Sequence, residues 1–165
     1  MRLSKDQIIE LENETITLCQ EMIRIPSVNH GEGLGDEKAM AEYVAKKLTE
    51  VGIKSELIET APNRVNVVAK VEGADQNRPG LVLHGHIDVV PANAADWSVD
   101  PFSGVIKDGF IWGRGAVDMK DMDAMILAMS SGCQARVTFL RCSAGFRASS
   151  ASRPWKSWSN LTKLP

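Results

Sequence analysis

Apolar residues in the first fifty positions return at helical intervals, and this periodicity constrains the fold more than any other feature of the chain. Ile8, Leu11, Thr15, Leu18, Met22 and Ile25 follow one another at steps of three and four, which places them on one face of a helix. Ser4 and Gln7 stand at capping-box spacing ahead of that face, and Pro26 stops it. After a glycine-rich loop from Ser27 to Gly35, Met40, Val44, Leu48 and Val51 define a second face, with Gly52 at its C-terminal cap. Runs of strand composition come next, at Lys54–Glu59, Val65–Val71 and Leu81–Leu83, separated by Pro, Gly, Asn and Asp. Val105–Lys107 and Phe110–Trp112 flank Asp108 and Gly109, a pair suited to the positive φ values of a type I′ hairpin turn. Lys120–Met129 carries helix formers and no breaker. Two helices followed by strands predict an α/β layer.

Composition narrows what such a layer does. The 165 residues are 44% hydrophobic and 24% charged with a formal charge of -2, values that fit one soluble domain and exclude a collagen, a disordered chain or a generic polyanion binder. The apolar run Ala124–Met129 falls far short of the roughly 20 residues that span a bilayer. Met1–Glu14 is charged from Lys5 onward and lacks the apolar region of a secretory signal, so the expected compartment is cytoplasmic. Cys19, Cys133 and Cys142 form an odd, unevenly spaced set that matches neither a disulfide framework nor a zinc knuckle. Residues 130–165 hold four Arg, two Lys, eight Ser and no Asp or Glu, whereas the remainder holds 13 basic against 21 acidic residues. No period of 2 or 3.6 runs through that stretch, so Trp155 and Trp158 lack the amphipathic face that membrane or nucleic-acid binding requires. The stretch reads as an irregular tail.

Chemistry concentrates just past the apolar run Leu81–Leu83, where His86 and Asp88 stand two apart. Active-site groups of α/β folds gather beyond strand carboxyl ends, and residues two apart on extended backbone point the same way. His86 can thus supply an imidazole ligand to a metal and Asp88 an orienting or basic carboxylate; the alternative is an ordinary surface His beside an Asp. Asp118 follows the Gly113-Arg114-Gly115 turn and precedes a helix, so it is either a site carboxylate or an N-cap. His84 and His30 read as hydrogen-bonding and exposed loop residues. Arg114 has two readings, a clamp for a substrate carboxylate and a brace for its own turn. Trp97 and Phe102 read as packing the loop after Asp88.

The run Leu83-His84-Gly85-His86-Ile87-Asp88-Val89-Val90-Pro91, followed by Trp97, Asp100-Pro101-Phe102 and Gly113-Arg114-Gly115-Ala116-Val117-Asp118-Met119-Lys120, resembles one family in order, spacing and flanking residues. It is the zinc metallopeptidase and amidohydrolase family of acetylornithine deacetylase, succinyl-diaminopimelate desuccinylase, aminoacylase and carboxypeptidase-type dipeptidases, and the resemblance covers about residues 8–129. It implies a zinc exopeptidase-like catalytic domain, a mixed sheet with flanking helices. By the same resemblance His86 and Asp118 are metal ligands, Asp118 bridging two zinc ions, and Asp88 is the catalytic residue that orients the site. Asp118-Met119 is the peptide often found cis in relatives. Imidazole and carboxylate donors suit Zn2+ and also accept Co2+ or Mn2+. The implied reaction is hydrolysis of an amide bond in a small peptide or N-acyl amino acid.

Relatives place a general-base glutamate, a further acidic ligand and a last histidine downstream, but no Asp, Glu or His follows Met129. They also carry an inserted domain used for closure and dimerisation, for which this length has no room. The expectation is therefore an incomplete catalytic domain over residues 1–129 joined to an unrelated or frame-shifted, disordered tail over 130–165. Such a chain is expected to be inactive, or to persist as a non-catalytic remnant that binds metal weakly or acts through protein contacts.

Overall fold

The structure, a computed structural model, describes residues 3–72, 75, 77–132 and 138–139. Helix α1 spans Lys5–Ile23, and its N-terminus is closed by the expected capping box: Gln7 N–H donates to Ser4 Oγ, and Ser4 N–H to Gln7 Oε1. Its buried face is shorter than the periodicity predicts. Leu18, Cys19, Met22 and Ile23 are buried, but Ile8 is 43% exposed because the first turns run beyond the elements that cover the last ones. Helix α2, Lys38–Glu50, buries Met40, Ala41 and Leu48. Gly52 closes it at φ +76, and Ile53 N–H donates to Leu48 O in a Schellman-type wrap.

Strands β1 (Asn29–Gly31) and β2 (Leu34–Gly35) form a small antiparallel ladder inside the glycine-rich loop, where strand pairing was not expected. Strands β3 (Ser55–Ala61) and β4 (Arg64–Ala69) pair antiparallel, Ser55 opposite Ala69 and Leu57 opposite Val67, and α2 packs on both. A short pair, β5 (Val82–Leu83) and β8 (Thr138–Phe139), runs parallel. Strands β6 (Val105–Lys107) and β7 (Phe110–Trp112) make the expected hairpin, with Asp108 at φ +55 and Gly109 at φ +77 as a type I′ turn demands.

Helix α3 spans Lys120–Gly132 and packs against α1. The α/β class is as predicted, although among the described residues the strands occur as four two-stranded ladders. The core joins Leu18, Met22 and Ile23 of α1 to Met40 and Leu48 of α2, Val65 of β4, and Ala124 and Leu127 of α3. Full burial of side chains such as Met22 and Ile23 contributes roughly 1.5–3 kcal/mol each. Two features carry regular structure past Met129: α3 continues to Gly132, and β8 supplies a parallel partner to β5. The rest of the expected irregular tail, residues 133–137 and 140–165, lies outside the described residues.

Candidate active site

The backbone from Gly85 to Val89 continues β5 and is held by the segment that follows α1. Asn29 N–H donates to Val89 O and Val89 N–H to Ser27 O, each at 2.8 Å, a parallel bridge centred on Val28 and Val89. The buried Ser27 hydroxyl donates to Ile87 O at 2.5 Å. Pro26 ends α1 and turns the chain into this extended course, so a helix stop becomes a guide for the strand carrying His86 and Asp88.

The other half of the site is fixed by Lys120. Its ammonium donates to Met22 O at 2.8 Å and Ile25 O at 3.0 Å, carbonyls just at and past the end of α1, the first of which also accepts from Ile25 N–H. The side chain is 0% exposed, and burial pulls its pKa down to about 8. Gly115, at φ +82, lies so close to Val89 that a Cβ there would sit 2.6 Å from Val89 Cγ1. The Asp118 turn and the His86 strand are therefore anchored on the same short stretch, residues 22–29.

These anchors bring the predicted site residues together. His86 Nε2 lies 3.0 Å from Asp118 Oδ1, although 32 positions separate them, and His86 Nδ1 lies 3.2 Å from Asp88 Oδ1. Asn29 Nδ2 donates to the other Asp88 oxygen at 2.8 Å. The Asp88 carboxylate pushes the imidazole pKa up to about 9, Asp118 adding to the effect against burial, and His86 in turn holds Asp88 below the usual carboxylate range. The Asp118 side chain is 88% exposed and faces the imidazole, while Lys120 N–H bonds Gly115 O and Asp123 N–H bonds Met119 O. Among the described hydrogen bonds the Asp118 carboxylate meets the imidazole and caps no amide of α3. The Asp118-Met119 peptide is cis.

Other candidates fall away from this cluster. His84 is exposed, and His30 pairs with Asp36 at 2.8 Å in the β1–β2 ladder. Arg114 stacks on Trp97, 5.1 Å from the ring centre, which favours bracing of the loop over an open clamp. Three residues escaped the sequence reading: Asn29, Ser27 and Asp123. Asp123 is 8% exposed, its Oδ2 has no partner among the described residues, and burial pushes its pKa up to about 7. It occupies the space a Cβ on Gly85 would need, directly behind the His86 strand. Asn29 had a readable signal, an Asn two residues ahead of a Gly in a turn-rich loop. Asp123 had none, because a charged residue on an α3 otherwise rich in Met reads as its solvent face.

Two donors converge, a ring nitrogen and a carboxylate oxygen, which suit a divalent transition ion; among the described residues no group of three His, Cys, Asp or Glu is placed to hold one. No described helix is long and apolar enough to cross a membrane.

Residues 82–137 match the family model of peptidase family M20/M25/M40, a span that includes His86, Asp88 and Asp118 and passes beyond Met129. A succinyl-diaminopimelate desuccinylase of Methylorubrum populi is 41% identical over 122 residues, 71% of this chain and 30% of the relative. An N-fatty-acyl-amino acid synthase/hydrolase of Xenopus tropicalis is 38% identical over 102 residues, 60% of this chain and 20% of the relative. The chain thus spans less than a third of the length of these curated relatives. Among solved structures, human carnosine dipeptidase 1 superposes with a TM-score of 0.69 at 22% identity, covering 82% of this chain and 33% of that one. An M20 family metallo-carboxypeptidase of Sulfolobus solfataricus gives 0.60 at 23% identity, covering 76% and 30%. At these identities the superpositions speak for the fold alone. The fold, the motif block and the sequence relatives agree, and the segment that carries His86 and Asp118 belongs to peptidase family M20/M25/M40.

Proposed function

We propose that this chain carries part of the metal centre of an amide-bond hydrolase acting on small peptides or N-acyl amino acids, with His86 and Asp118 as ligands and Asp88 orienting the imidazole. The observation that carries the reading is the approach of His86 Nε2 to Asp118 Oδ1 at 3.0 Å on an open face of the molecule. Asp88 accepts from Nδ1–H, so that Nε2, which faces Asp118, is the nitrogen that would give up its proton to a cation. The exposed Asp118 carboxylate keeps its second oxygen available, as a bridging ligand requires. Zn2+ is the cation proposed, with Co2+ or Mn2+ as substitutes. The chemistry such a cation supplies is polarisation of an amide carbonyl and acidification of bound water.

The second reading, weak metal binding without turnover, is favoured by a separate observation. Only two donors converge among the described residues, and residues 130–165 contain no Asp, Glu or His to supply a general base. On that reading the 165-residue polypeptide binds Zn2+ through His86 and Asp118 and hydrolyses little or nothing. Zn2+ titration by calorimetry, run beside hydrolysis of a panel of dipeptides and N-acyl amino acids, separates the two. Turnover lost in His86→Ala supports the hydrolase, and binding lost in His86→Ala without turnover in the parent supports the remnant. Zn2+ affinity indifferent to His86→Ala and Asp118→Asn overturns both.

A further inference from the structure

We infer that Asn29 is a positioning residue for the metal site, acting through Asp88 on His86; the inference rests on the metal-site reading above. The side-chain amide of Asn29 has one permitted orientation. Gly31 N–H donates to Asn29 Oδ1 at 2.9 Å, so the acceptor end is committed and the donor end, Nδ2, must face Asp88. The backbone of Asn29 is committed as well, because its N–H donates to Val89 O at 2.8 Å in the bridge that aligns the site strand.

Held at two points, Asn29 delivers an N–H to Asp88 Oδ2 at 2.8 Å. That bond leaves Oδ1 of the same carboxylate turned to His86 Nδ1, 3.2 Å away. The sequence Gly31, Asn29, Asp88, His86, Asp118 is then one continuous chain of directed hydrogen bonds running from a loop to the exposed face. His86 Nδ1 is held both by the Asp88 backbone carbonyl at 3.1 Å and by the carboxylate of the same residue, and Asn29 sets the carboxylate half of that hold. A carboxylate at position 29 keeps the Gly31 contact but sets an acceptor against Asp88 Oδ2, so Asp88 turns and the imidazole loses its guide.

The test uses the 165-residue chain with Co2+ alone as the probe, followed by calorimetry and by the visible ligand-field bands. Asn29→Asp is expected to weaken Co2+ binding by about tenfold or more and to shift those bands, while circular dichroism and melting temperature stay near the parent. Asn29→Ala, which adds no charge, is expected to lose about three- to tenfold. The reciprocal exchange Asn29→Asp with Asp88→Asn restores a donor facing an acceptor, and it is expected to recover part of the affinity that Asn29→Asp loses. His86→Ala is the control for the site itself. If His86→Ala abolishes binding while Asn29→Asp and Asn29→Ala leave affinity and spectrum unchanged, the positioning role is overturned and the metal site stands. If His86→Ala leaves binding unchanged, the metal site is overturned and the role of Asn29 with it.

Discussion

Asp118 and Lys120 stand two positions apart and occupy opposite environments. The Asp118 side chain is 88% exposed and held by one imidazole; Lys120 is 0% exposed and gives its ammonium to two carbonyls at the end of α1. The contrast separates the tools that build this molecule from those that give it chemistry. A buried cation is tolerated because two carbonyls at the end of α1 accept from it, the one of Met22 shared with Ile25 N–H. An exposed carboxylate gains little from one neighbour and keeps its lone pairs open for a ligand. Lys120 therefore belongs to the scaffold and Asp118 to the surface that the scaffold presents.

The sharpest way to break this division is to remove the buried cation. Lys120→Ala removes the ammonium from the Met22 and Ile25 carbonyls and empties the space of the aliphatic stem, so equilibrium unfolding in urea should show a loss of roughly 3–5 kcal/mol. Lys120→Met keeps the stem and should lose less. Equal losses would mean that the ammonium's hydrogen bonds alone, and not the packing of the stem, tie α3 to α1.

A smaller effect is expected from Asp123, which is buried like Lys120 but lies behind the strand of His86. Below about pH 4 its carboxyl is neutral in the folded and unfolded chains alike. Between about pH 4 and 7 the unfolded chain ionises while the folded one holds its proton, so stability falls as pH rises, by on the order of a few kcal/mol in all. Asp123→Asn should flatten that part of the pH profile, measured as melting temperature from pH 4 to 8. A profile unchanged by the substitution would place the titration elsewhere.

The smallest stability change is expected on the open face. Asp118→Asn should alter the unfolding free energy by under about 1 kcal/mol, since its side chain is 88% exposed, and His86→Ala by more, because the half-buried imidazole also faces Asp88. Their large effect should be on divalent-cation binding. A loss on the scale of Lys120→Ala would show that the exposed pair supports the fold itself.

Much of this arrangement was legible in the linear chain. The capping box of Ser4 and Gln7, the turn at Asp108 and Gly109 and the cap at Gly52 are local, set by side chains within a few residues of one another. The spacing of His86 and Asp88 on extended backbone likewise put both on one side. Periodicity misled in one place, and residue polarity in another. Ile8 continues the apolar face of α1 but stays exposed, because none of the described residues covers it. In α3, Met122, Met125 and Met129 are exposed while Lys120 and Asp123 are buried, the reverse of what residue polarity suggests.

The order of residues alone settled the α/β class, the helix ends and the hairpin, and it singled out His86, Asp88 and Asp118, since each depends on neighbours in the chain or on a compact motif. The three-dimensional packing settled whether the carboxylate at 118 caps a helix or meets an imidazole, and which residues hold it there. Asn29, Ser27 and Lys120 act across separations of 59 to 98 positions, through hydrogen bonds that exist only once the end of α1, the site strand and the start of α3 are brought side by side. Distances of that kind are made by the burial of a shared core, and no local propensity encodes them.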